Sequence, residues 1–245
     1  MRYDRVELGL TTYKTLLAEH DLGEAHLTLA GGEQWHPSQE REQLRTRAWT
    51  ELDELGLLRG GRVREGFLDT LHLLQRPGTE YYTWTRIDGQ PVTVRTAFTG
   101  RDAVLAIANR HTLYLFPSDA KSAAVDLAVQ LPEVEPAYVH SLNCAEADYK
   151  ALLAGEPLPA GSSATDAKRI RPWLEAPRVN EGQLFAAVRG GSEQRIADTH
   201  PPTWIDTEWG RFLVGMRGGW ITLTGAGHQE IAAKLTDMEA ELRGR

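Results

Sequence analysis

The stretch GRFLVGMRGGWITLTGAGHQEIAAKL, Gly210 to Leu235, constrains the fold more than any other part of this sequence. Apolar residues alternate on both sides of Gly218-Gly219 and then recur at helical spacing, which predicts a strand, a tight turn, a second strand and an amphipathic helix. An earlier segment reads the same way. TLYLFPSDAKSAAVDL lies over WITLTGAGHQEIAAKL without a gap at an offset of 108 residues. Leu105 then matches Leu213, Leu113 matches Ile221, Leu115 matches Leu223, Ala124 matches Ala232 and Leu127 matches Leu235. The turns Asn109-Arg110-His111 and Arg217-Gly218-Gly219 coincide, and further upstream YYTWTRIDG answers LFAAVRGGS at a slightly different offset. The pattern predicts a duplicated unit of four strands and a helix. Two such units are expected to pack about a pseudo-twofold axis, with Leu115 and Leu223 in equivalent core positions.

The flanking segments read as mixed structure. Val6 to Leu10 is apolar, and Thr11 or Thr12 is expected to cap a helix carrying Tyr13, Leu16 and Leu17. His26 to Ala30 alternates like a strand. Leu44, Ala48, Leu52 and Leu55 mark a helix stopped by Gly56, and Phe67, Leu68, Leu71 and Leu74 mark another, ended by Pro77-Gly78. From Glu80 the period changes to two through an antiparallel meander with a hairpin turn at Asp88-Gly89-Gln90, and a helix follows over AKSAAVDLAVQL. A helix is expected over Ala145 to Ala154. The Gly-, Pro- and Ser-rich stretch 155–166 is the best linker candidate, dividing an N-terminal half (1–154) from a C-terminal half (167–245) that together form one globular unit. The expected class is α/β (α+β), antiparallel meander sheets packed with helices.

At 245 residues the chain can bury a core without staples. Its single cysteine, Cys144, excludes an internal disulfide framework. The start MRYDRVELGL lacks the apolar run of a signal peptide and no window is apolar enough to span a bilayer, so a cytoplasmic location is expected. With 34 acidic and 27 basic residues the formal charge is −7, which gives no electrostatic attraction to nucleic acid.

Catalytic chemistry is missing from the pattern. His20, His26 and His36 with Glu24 and Glu33 have no metal-ligand spacing, so no metal is expected and they read as solvated loop residues. The Gly-Gly pairs read as turns rather than phosphate loops, and no nucleophile elbow is present. No cofactor and no enzymatic activity are expected. Trp204, Trp209 and Trp220 read as aromatics on or beside strands, with Trp220 expected in the core. On YYTWTRI, the period-two rule puts Tyr82, Trp84 and Arg86 on one side and Tyr81, Thr83 and Thr85 on the other. The first set, with Asp88 in the adjoining turn, is the candidate partner-binding face, joined by the neighbouring last helix around Lys234 and Met238.

The order of pieces, with Glu40-Arg41 followed by Ala48, Leu52 and Gly56-Leu57, then a meander, a helix and the closing Gly-Gly-Trp hairpin, resembles the EspG family of chaperones of actinobacterial type VII (ESX) secretion. The resemblance implies binding without catalysis. It implies a cytosolic chaperone that grips a helical secretion substrate, such as a PE–PPE pair, through the sheet and the C-terminal helical part. It also implies a long loop between the first two meander strands, whereas Ile87 and Pro91 here are separated only by Asp88-Gly89-Gln90, so a different helical-hairpin partner of the same pathway is possible.

Overall fold

The computed structural model describes residues 5–30, 38–158, 160–190 and 194–244. The first half runs through β1 (Val6–Gly9), α1 (Leu10–Glu19), a 3-10 turn at Leu27–Leu29, α2 (Ser38–Glu54), a small hairpin of β2 (Leu58–Arg59) and β3 (Arg62–Val63), and α3 (Glu65–Gln75). The meander follows as β4 (Thr79–Ile87), β5 (Gln90–Thr99), β6 (Asp102–Ala108) and β7 (Thr112–Asp119), then α4 (Ala123–Ala128). The second half is β8 (Leu142–Ala145), α5 (Glu146–Ala154), α6 (Ser162–Glu175), β9 (Asn180–Arg189), β10 (Arg195–Ala197), β11 (Thr203–Thr207), β12 (Gly210–Arg217), β13 (Trp220–Gly225) and α7 (His228–Arg243). No helix among the described residues is long and apolar enough to cross a membrane.

Among the described residues, eleven strands form one antiparallel sheet in the order β1-β7-β6-β5-β4-β9-β11-β12-β13-β8, with β10 on the far end of β9. The order is a palindrome of equivalent strands, and the registers obey it. Thr96 faces Leu105 as Trp204 faces Leu213, and Leu105 faces Phe116 as Leu213 faces Thr224, each second pair being the first advanced by 108. Leu8 faces Leu113 as Cys144 faces Ile221, so the edge strands are equivalent too. Leu115 and Leu223 are both fully buried at matching positions.

The two halves join where β4 meets β9, and Thr83 faces Leu184 there. Thr79 faces Phe98 in the first half and Asn180 faces Asp206 in the second, an offset of 101 between β4 and β9. Leu184 is therefore the equivalent of Thr83 itself, and the pseudo-twofold passes between them, normal to the sheet. The sequence overlay put Leu184 on Tyr81, two residues away, which leaves the faces unchanged because strand side chains alternate with period two.

Side-chain alternation then fixes three layers. On one face α4 and α7 cover the sheet centre, burying Leu127, Ile231, Leu235 and Met238 against Tyr81, Val94, Leu105, Leu184 and Trp204. On the other face α1, α2 and α3 cover one end, over Leu8, Val104, Leu113 and Leu115. Ala167 and Ile170 of α6 cover the other end, over Cys144, Phe212, Ile221 and Leu223. Both sheet edges are closed by side chains. The Gly9 N–H donates to Glu51 of α2 at 2.7 Å, and on β8 the Asn143 and Ala145 N–H groups donate to Asp166 (3.0 Å) and Ser163 (2.8 Å) of α6. Such closure removes the template for another chain to add a strand.

Several local expectations are corrected. His26 to Ala30 is not a strand: it holds the 3-10 turn, whose Thr28 N–H is met by the His26 ring and whose Leu29 N–H is met by the His26 carbonyl rather than by a neighbouring strand. Helix α1 begins at Leu10, with Gly9 and not a threonine at its cap. Helix α4 is only 6 residues long. Ser162 starts α6 inside the stretch read as a linker. Trp220 is 49% exposed, at the end of its strand beside the Gly218-Gly219 turn, whose Gly219 carbonyl accepts from the first N–H of α5 at 2.8 Å. The expected Gly-Gly-Ser turn after Arg189 falls on residues 191 and 192, outside the described residues.

The halves differ most where Phe98 faces Ala103 but Asp206 faces Arg211. Arg211 is fully buried, makes a two-pronged bond to Asp206 at 2.6 and 2.9 Å, donates to the Pro132 carbonyl at 2.7 Å and lies over the Trp204 ring. Removing one partner of such a pair strands a buried charge, so Asp206→Ala should lose about 3–5 kcal/mol in urea denaturation. The double change Asp206→Phe with Arg211→Ala, which restores the first half's apolar pair, should lose less than half of that.

Candidate functional site

The helices that cover one face at its two ends leave its middle open, over β5, β4, β9 and β11. Residues directly opposite in the ladders share a face, and one such row reads Ala108, Thr93, Trp84, Gln183, Thr203 and Val214. An aromatic cluster stands at its centre. Tyr82 faces Phe185 across β4 and β9, and the two rings stack at 4.9 Å and 3°. Trp84 meets both edge-on, at 5.0 Å from Phe185 and 5.5 Å from Tyr82. Trp84 as a whole is 37% exposed.

Beside Trp84 lies a cleft of about 270 Å³ lined by Leu10, Leu27, Pro91, Thr93, Ala108 and Arg110. Leu27 stands 52% exposed because its neighbours are pinned. The Thr93 hydroxyl donates to the Thr28 carbonyl at 2.7 Å, and the His26 Nδ1 accepts from the Thr28 N–H. The exposed guanidiniums of Arg86 and Arg110 flank this apolar ground, and neither makes an ion pair with a described residue.

Beneath the aromatics is a buried charge cluster. Glu80 accepts from Arg95 at 2.8 and 2.5 Å and from Arg195 at 2.6 Å, and Arg195 also donates to the Tyr82 hydroxyl at 3.0 Å. His26 packs edge-on against Tyr82, with its Nε2 3.6 Å from Glu80. Burial alone pushes the Glu80 carboxyl up, but the guanidiniums of Arg95 and Arg195 outweigh it and hold the group below its ordinary value. Burial, reinforced by Arg95, pulls His26 down to about 3, so its ring is neutral. A carboxylate held by two guanidiniums and a neutral histidine form a rigid floor, with no proton to exchange near pH 7.

Of the sequence-derived candidates, Trp84 and Arg86 are exposed on this face and Asp88 is exposed at its end, in the left-handed first position of the hairpin turn (φ 48°). Gly89 follows at φ 74°, and the Asp88 N–H donates to Asn180 at 3.1 Å. Tyr82 shares the face but is 4% exposed, serving as the support for Trp84. Lys234 and Met238 are corrected: α7 covers the opposite face, Lys234 is half-buried, and Met238 is 1% exposed in the core. Ile231, Leu235, Met238 and Leu242 recur at helical spacing, which marks the inward stripe.

Phe185 was missed, although its place in QLFAAVR puts it on the side away from Leu184. His26 is no solvated loop residue, and His36 and Glu33 lie outside the described residues. Among the described residues, no three His, Cys, Asp or Glu side chains are grouped to hold a metal ion. Burial, followed by the carboxylates of Asp148 and Asp166, pushes the Cys144 thiol up, away from nucleophilic use.

A sequence model of the EspG family matches residues 10–237. The solved structure of the Mycobacterium tuberculosis type VII secretion system chaperone EspG5, in complex with a PE25–PPE41 dimer, shares the fold with a TM-score of 0.71. It is 15% identical and the likeness covers 97% of this chain and 96% of that one. No curated protein matches the sequence.

The floor of this face should be sensitive to acid. His26 stays neutral in the fold while the unfolded chain takes a proton near its ordinary value of 6.5, so stability is complete above that pH and falls as pH drops from 6.5 toward 3. The contribution of Glu80 is present above the unfolded carboxyl value and is lost in the same direction, as pH falls through its lowered folded value. In His26→Asn, unfolding free energy followed between pH 6 and 4 should fall less steeply than in the wild type, by about 1.4 kcal/mol per pH unit. Equal slopes would place the His26 proton elsewhere.

Proposed function

The chain belongs to the EspG family, and we propose that it is a chaperone of type VII secretion that holds a helical substrate, a PE–PPE pair or a related helical hairpin, soluble in the cytosol until export. The observation that carries this reading is the open aromatic face. A sheet of this size could have been covered by helices on both faces, yet Trp84 and Leu27 stand exposed in its middle while the equivalent area on the other face is sealed by α4 and α7. Apolar residues left bare on a rigid sheet fit a surface that a partner covers. The EspG5 structure, described with its PE25–PPE41 dimer, supports the choice of partner class.

The same geometry supports binding over catalysis. A hydrolytic site would bring a titrating histidine and a carboxylate into one deep pocket, whereas here Glu80 is occupied by two guanidiniums and His26 is sealed beneath Tyr82. Specific protein interfaces bury on the order of 1,600 Å² in total, which a sheet face can supply and a single loop cannot. Trp84 in the centre, with Arg86 beside it, has the composition of an energetic anchor.

Co-expression with candidate PE–PPE pairs, followed by size-exclusion chromatography, tests the reading directly. A co-eluting complex is expected. Trp84→Ala should then weaken it by about thirtyfold, the equivalent of about 2 kcal/mol, while lowering the melting temperature only slightly because the indole is partly in water. A variant that melts early but binds like the wild type would move the contact off this face.

A further inference from the structure

The pseudo-twofold through Thr83 and Leu184 carries the cleft beside Trp84 onto a second place on the same face. The registers send Trp84 to Phe185 and Ala108 to Met216. Met216 is 55% exposed and Phe185 is half-buried, and the chain between them enters β11 through Pro201. Met216 lies on the face of Phe212 and Val214, beyond the reach of α6. The copy is not exact, because the first place is roofed by Leu27 and the second is open. Each nevertheless presents an aromatic from a central strand and an apolar side chain from a strand farther out.

We propose that Met216 and Phe185 form a second apolar subsite, and that the open face takes two antiparallel helices of one partner, one seated at Leu27 and Trp84 and the other at Phe185 and Met216. This rests on the chaperone reading above. Two observations select the occupant. From Ala108 on β6 to Met216 on β12 is five strand spacings, about 24 Å, whereas an α-helix with its side chains is about 10–12 Å wide. Two helices side by side span that distance, and an antiparallel pair laid on the sheet has a twofold normal to it, as this face does. Charge selects the chemistry of the first helix. Arg86 and Arg110 make no ion pair with a described residue in a chain of formal charge −7, so the helix at Leu27 is expected to carry carboxylates beside its apolar anchor. Beside Met216 the exposed Arg217 is already paired with Glu241, and this difference from Arg86 and Arg110 gives the hairpin one orientation.

The test uses the full chain and a panel of recombinant PE–PPE pairs that includes PE25–PPE41, and titrates a pair that the wild type retains. Leu27→Glu and Met216→Glu change exposed residues, so both variants should fold. Each should weaken binding tenfold or more, and the double variant should lose the product of the two factors, because the sites are too far apart to couple. Val125→Glu, at an exposed residue of α4 on the opposite face, should bind like the wild type. Photo-crosslinkers placed at 27 and at 216 should mark two different helices of the partner. Wild-type binding by Met216→Glu, with loss in Leu27→Glu, overturns the second subsite and leaves the chaperone reading intact. Crosslinks from both positions to one helix overturn the two-helix arrangement. A chain that dimerises alone and becomes monomeric on Met216→Glu assigns the subsite to a second copy and overturns the proposal. A wild type that retains no pair overturns the chaperone reading and this inference with it.

Discussion

The antiparallel pairing of β4 with β9 is the contact on which the rest of this molecule depends. Without it there would be two half-sheets, each with a meander edge open to solvent. With it, one sheet runs from β1 to β8, and equivalent strands stand at equal distances from the Thr83–Leu184 pair. The pairing also decides where helices can go. Helices α4 and α7 follow the last strand of each meander and return over the middle of one face, packing on each other near the axis. The helices that precede β4 and β9 stay over the outer strands of the other face. The bare middle of that face is thus a consequence of topology, available for use once the halves were joined.

The two copies have drifted in ways that volume and charge explain. Trp204 fills the space above Gly182, where a Cβ would come within 2.7 Å of its indole nitrogen, while the equivalent pair in the first half is Thr96 beside Tyr81. The large side chain has moved from one strand to its neighbour and the layer thickness is kept. Phe98 and Ala103 in one half answer Asp206 and Arg211 in the other. Across the axis Glu80 is answered by Glu181 but Arg95 by Thr203, so the buried Glu80–Arg95 pair is not repeated, and with Arg195 it sits under the side of the open face that holds Tyr82 and Trp84. An anchored floor fixes the rotamers of the rings above it, which lowers the entropic cost of meeting a partner.

Much of this was legible in the sequence because strands and helices carry different periods. The alternation around Trp84 placed Tyr82, Trp84 and Arg86 together, and the gapless overlay found the duplication with Leu115 and Leu223 in register. Legibility ended where a property depends on what lies across space. Nothing local says that α7 closes the face opposite Trp84, so Lys234 and Met238 were grouped with it. The alternation of His26 to Ala30 also suits a tight turn held by an imidazole, and Tyr82 gives no sign of its burial until Phe185 and His26 stand against it. Glu80, Arg95 and Arg195 read as ordinary strand polar residues, since the closure that joins them spans 115 positions of sequence.

The partner is proposed to meet the central sheet face that holds Trp84, and not the face under α7. Hydroxyl-radical footprinting of the chain alone and in its complex reads this in one measurement, because Trp84 and Trp220 are partly exposed on opposite faces of the same sheet. The expected result is that oxidation of Trp84 drops on complex formation while that of Trp220 is unchanged. Protection of Trp220 with Trp84 still fully reactive would contradict it.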